Sequence, residues 1–108
     1  MPSQISFACT MQEGQISADT RDLLAQALAD VSREVAGLEL VGAVEFSDIP
    51  HSFGFRGGEL STTSLVRGSV PGGVDQDTRV ALMTRICEVW SEISGATIDE
   101  LVVSVRDV

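Results

Sequence analysis

Hydrophobic positions along the chain alternate between two periods. Leu23, Leu24, Ala27, Leu28, Val31 and Val35 recur at three- and four-residue steps, as do Leu82, Ile86, Val89, Trp90 and Ile93, so two amphipathic helices are predicted. Ser17 and Asp75 stand where N-caps belong, Asp19 and Asp77 fall in the first turns, and Gly37 and Gly95 sit where a left-handed C-terminal cap is wanted. Four β-rich runs flank the helices: Ile5 to Met11, Leu40 to Ser47, Ser64 to Val70 and Glu100 to Val105. The predicted order is βαβ-βαβ. Between the halves, the stretch from Ile49 to Gly58 is too rich in Gly and Pro for a regular element, and Pro71-Gly72-Gly73 separates strand from helix.

The order is also a repeat. Shifted by 58 residues, Ile16 to Gly37 lies over Val74 to Gly95 without a gap, with seven identities in twenty-two positions. Asp19-Thr20-Arg21 meets Asp77-Thr78-Arg79, and Gly37 meets Gly95. With one residue inserted, Val44 to Asp48 corresponds to Val103 to Asp107. Two architectures share this element order, the ferredoxin-like split βαβ and a duplicated βαβ, and the repeat favours the second. The expected fold class is therefore α/β (α+β): a duplicated βαβ forming a four-stranded sheet with two helices on one face. The opposite sheet face then needs cover from another subunit.

Composition narrows the function. At 108 residues the chain is expected to be a single domain over 1–108, with repeat halves at about 1–58 and 59–108. A net charge of −9 repels phosphate backbones and anionic lipid, which argues against nucleic acid as a partner. No apolar run approaches the length of a membrane span, so no membrane partner is expected. Cys9 and Cys87 lie in apolar stretches without metal-ligand spacing and are read as reduced thiols. The start Met1-Pro2-Ser3-Gln4 lacks the basic and apolar regions of a secretory signal, which points to the cytoplasm.

Several local features converge on one family. Pro2 follows the initiator methionine, Glu13-Gly14 ends the first strand, and Phe53-Gly54-Phe55-Arg56-Gly57-Gly58-Glu59-Leu60 follows the second. Ser64-Leu65 opens a strand and Gly72-Gly73 precedes the second helix. Together these resemble the tautomerase superfamily, which includes 4-oxalocrotonate tautomerase, macrophage migration inhibitory factor and the cis-3-chloroacrylic acid dehalogenase group. The resemblance implies a homotrimer of β-α-β-β-α-β protomers, an amino-terminal proline that acts as catalytic base or acid once methionine is removed, and arginines that hold a substrate carboxylate. It implies no cofactor.

The residues themselves support that chemistry unevenly. A terminal secondary amine in an apolar pocket beside cations loses its preference for the protonated form, so Pro2 is the candidate proton carrier. Counted back from Glu13-Gly14, however, the family's proline register falls near Ile5, leaving three extra residues ahead of it. Gln15, Gly42, Pro71 and Val74 stand where relatives carry arginines. Three other arginines are candidates for the carboxylate: Arg67 first, then Arg56 in the glycine-rich hairpin, and Arg106 on the last strand. Phe53 matches a pocket-lining phenylalanine, His51 reads as a solvated loop residue, and Trp90 reads as core. The expectation is a cofactor-independent tautomerase/isomerase-like protein acting on a small enol, keto or unsaturated carboxylic acid. The alternative is a non-catalytic module that binds a small ligand or protein partner.

Overall fold

The computed structural model describes residues 3–50, 55–56, 58–60 and 63–107. Its elements run β1 (Ser3–Gln12), α1 (Ala18–Ala36), β2 (Leu38–Leu40), β3 (Glu45–Ile49), β4 (Phe55–Arg56), β5 (Glu59–Leu60), β6 (Ser64–Val70), α2 (Gln76–Ser94), a 3-10 turn (Ile98–Glu100) and β7 (Leu101–Asp107). β1 and β6 pair antiparallel at the centre, from Ser6 opposite Ser69 to Thr10 opposite Leu65. Each then takes its own half's second strand in parallel, with β7 beside β6 and β2 and β3 beside β1. That is the duplicated βαβ, and the split ferredoxin-like order is excluded.

One expected strand is two. The run Leu40 to Ser47 breaks between β2 and β3, which occupy successive stretches of the same lane along β1. Gly42 at φ 67 adopts a left-handed conformation there that a strand cannot continue through. The mixed sheet consequently has five strands in four lanes. In the Gly-rich segment, where no regular element is expected, β4 and β5 form a two-residue hairpin, Phe55 opposite Leu60 and Arg56 opposite Glu59.

Both helices end where their caps dictate. The Ser17 hydroxyl accepts from the Thr20 N–H and the Asp75 carboxylate from the Thr78 N–H, while Gly37 (φ 64) and Gly95 (φ 78) take the left-handed turn. The Thr78 N–H holds the Asp75 carboxyl below its ordinary range. One residue beyond each of these threonines, an arginine reaches back. The guanidinium of Arg21 donates to the Ile16 carbonyl and pairs with Asp48; that of Arg79 donates to the Val74 carbonyl (3.1 Å) and the Val105 carbonyl (2.9 Å) and pairs with Asp107 at 2.8 Å. The repeated Asp-Thr-Arg is thus a clamp that fixes the start of each helix to the end of its following strand.

The core lies between the helices and one face of the sheet. Ile5, Phe7, Cys9 and Met11 of β1 point inward with Val66 and Val70, against Leu24, Leu28 and Val31 of α1 and Leu82, Ile86 and Trp90 of α2. Gly68 packs closely in this layer: a Cβ there would lie 3.0 Å from the ring of Phe7, which would have to give way. Leu23, grouped with the apolar stripe by its spacing, is 61% exposed; its neighbour Leu24 takes the core position. The outer face alternates out of phase: β6 is buried at Ser64, Val66, Gly68 and Val70, and exposed at Leu65, Arg67 and Ser69. Among the described residues no helix is long and apolar enough to cross a membrane.

Candidate functional site

The outer face carries the candidate chemistry, and strand register decides what meets there. Ala8 stands opposite Arg67 on one side and Glu45 on the other, and Arg67 stands opposite Ser104. One row across the sheet therefore reads Glu45, Ala8, Arg67, Ser104. Arg106 lies opposite Ser69, a diagonal step from Arg67 on the same face. Where the break between β2 and β3 opens beside β1, these side chains border a concavity of about 640 Å³ lined by Ser6, Ala8, Gly42, Glu45, Arg67 and Arg106, among others.

The charges in this concavity are unusual for the chain. All seven basic residues are arginines. Arg21, Arg33, Arg79 and Arg85 pair with carboxylates. Arg67 and Arg106 form no ion pair and no side-chain hydrogen bond among the described residues, and both reach the same concavity. Beneath Arg67, on the inner face, burial pushes the Cys9 thiol up to about 12, and the opposing pull of the Arg67 guanidinium is the smaller effect. Cys87 is also raised, by burial and then by Glu88. Both cysteines are free.

Of the residues singled out in the sequence, Arg67 lies in this concavity. Arg106, ranked below it, joins it through a cross-strand register that spacing along the chain does not reveal. Pro2, His51 and Phe53 lie outside the described residues, as does the side chain of Arg56. Glu45 and Ser6 are added by the structure; the alternation of β1 and β3 about their pairing at Ala8 is the signal that places them. Gln15, Pro71 and Val74 do not line the concavity, whereas Gly42 does.

The architecture matches solved structures across nearly its whole length. Native Ps01740 superposes at a TM-score of 0.84 with 24% identity, covering 94% of this chain and 92% of that one. N1, a member of the cis-3-chloroacrylic acid dehalogenase family, gives 0.85 at 16% identity over 95% of this chain and 74% of its own. The chain has the tautomerase fold. A fused 4-OT wild-type symmetric trimer is likewise similar to this tautomerase-fold chain, at 0.80 and 17% identity over 94% and 84% of the two chains. No protein-family model matches the sequence, and no curated protein does.

Within the tautomerase fold, the two repeats are not charged alike. The Ala8–Arg67 pair lies at the middle of the β1–β6 ladder, so Ala8 is the repeat mate of Arg67. Aligning Asp48 with Asp107, the two clamp carboxylates, makes Ser47 the mate of Arg106 and Ser104 the mate of Glu45. Of the four charges lining the concavity, Glu45, Arg67 and Arg106 thus face uncharged residues in the other copy, and only Asp107, which pairs with Arg79, has a charged mate in Asp48.

Proposed function

We propose that this chain moves a proton on a small enol, keto or unsaturated carboxylic acid without a cofactor. The Pro2 amine, freed by removal of Met1, is the acid or base. Arg67 and Arg106 hold the substrate carboxylate and the oxyanion that develops as the proton leaves, and Arg56 and Phe53 are the further substrate-binding residues that the resemblance implies. The chain works as a homotrimer in the cytoplasm, as a single domain. The observation that carries the reading is the pair of arginines without carboxylate partners in one concavity, in a chain whose net charge is −9. A guanidinium without a carboxylate partner keeps its full hydrogen-bonding fork for a ligand. Gly42, at which the resemblance places an arginine, lines the same concavity, so the cations arrive from β6 and β7 rather than from the second strand.

The second reading, a module that binds a small acid without turning it over, is favoured by one observation. The family's proline register falls near Ile5, which is already inside β1 and 1% exposed in the core. Three residues of extended chain span roughly 10 Å, so an amine at Pro2 starts well away from the register that the resemblance gives the base.

The deciding assay compares the mature protein, Pro2→Ala, a form that retains Met1, Arg67→Ala and Arg106→Ala on a phenyl-substituted or muconate-type enol acid. The expected activity is weak, because Gln15 and Gly42 leave the usual clamp positions uncharged. It should fall sharply in both proline-blocked forms. Arg67→Ala should lose on the order of 10²-fold in kcat/KM, more than Arg106→Ala, since Arg67 stands in the middle of the sheet and Arg106 on an edge strand. Equal rates in the three amino-terminal forms would remove Pro2 from the mechanism. No turnover in any form, with an enol acid still bound in an Arg67-dependent way, would establish the second reading.

A further inference from the structure

Two carboxylates line the concavity: Asp107 is taken up by Arg79, and Glu45 is the one that a carboxylate site does not call for. It stands in the same row as Arg67, one strand beyond Ala8, with two strand spacings, roughly 9–10 Å, between their backbones. Ala8 fills the intervening position with a single methyl, so the floor between the opposite charges is low. Glu45 is exposed and has no ion pair among the described residues. The fold does not need a carboxylate at this point of the second strand, because its repeat mate is Ser104. Ser6 and Ser69, beside the row, offer hydroxyls rather than further charge.

We infer that Glu45 selects a dipolar ligand: a short carboxylic acid bearing an ammonium at its far end, with the carboxylate on Arg67 and Arg106 and the ammonium on Glu45. The inference rests on reading the concavity as a carboxylate site and adds the class of acid it takes. A dicarboxylate of the same length would set its second anion against Glu45, in a chain already at −9. A plain acid would leave Glu45 without a partner. An amino acid of matching length satisfies both ends of the row at once.

The test is titration of the full chain with 5-aminopentanoate, pentanoate and glutarate at low ionic strength, followed by NMR shifts, in the wild type, Glu45→Gln, Glu45→Asp and Arg67→Ala. Wild type should bind 5-aminopentanoate about fivefold more tightly than pentanoate, the worth of one exposed ion pair, and about tenfold or more above glutarate. Glu45→Gln should weaken the amino acid and strengthen glutarate until the order reverses, while Glu45→Asp keeps the wild-type order. A wild type that prefers glutarate, or a Glu45→Gln variant with the ranking intact, overturns the inference. If all three acids bind equally and Arg67→Ala weakens each, the carboxylate site stands and the role of Glu45 falls. If none binds, the site itself falls with it.

Discussion

Cys9 shows what a single side chain can report about this fold. Its thiol is buried on the inner face of β1 and raised to about 12, so the folded state favours the neutral form. A group whose folded pKa lies above its unfolded value stabilises fully below the unfolded value and loses that contribution as pH rises toward the folded one. Stability should therefore decline between about pH 9 and 12. The chain has no lysine and no tyrosine to obscure this limb. Thermal unfolding from pH 8 to 11 should show a steeper alkaline fall for wild type than for Cys9→Ala, although the variant starts lower because of the space it leaves. Parallel slopes would show that Cys9 is not what titrates. At this scale the sequence was a partial guide. The apolar run around Cys9 marks a buried thiol, and Arg67 stands out as a cation on a strand. Its neighbour Arg106 does not, because their proximity is created by the β6–β7 register and not by any spacing within the chain.

At the scale of elements, the clamp built on Arg79 should matter more than its twin on Arg21. Arg79 is the more enclosed of the two side chains, 15% exposed, and it serves two carbonyls and a carboxylate. Arg21 serves one carbonyl and one carboxylate, with its guanidinium over the Phe46 ring. Arg79→Ala strands the Val74 and Val105 carbonyls together and should cost about 2–4 kcal/mol, against about half that for Arg21→Ala. Urea unfolding at unchanged m-value measures both, and equal costs would refute the ranking. Helix ends were fully legible because caps are local: Ser17, Gly37, Asp75 and Gly95 each mark their boundary within one residue. The break after Leu40 was not. Val41-Gly42-Ala43 reads as a strand with one weak residue, and only the positive φ of Gly42 ends it. Leu23 illustrates the same limit, since adjacent leucines fit one helical stripe equally well until packing chooses between them.

At the scale of the whole molecule, the outer face still asks for a partner. Leu65 and Val102 lie opposite each other there at 36% and 52% exposure, beside Thr10, while the other face is covered by both helices. Threefold closure would bury that apolar patch, so light scattering at micromolar concentration should return three times the chain mass. Val102→Asp should shift it to the monomer while leaving the helix content in place; a monomeric wild type would refute the trimer. The topology was legible because duplication repeats its own register, and a split βαβ would not place two Arg–Asp clamps at matching points. Duplication has one more consequence, which concerns inheritance. An assembly of identical single-repeat chains must change a position everywhere at once, so a cation gained for binding is also imposed on every symmetry-related contact. In this chain Arg67 and Ala8, or Arg106 and Ser47, are separate codons, so a charge can change in one half without being imposed on its repeat mate.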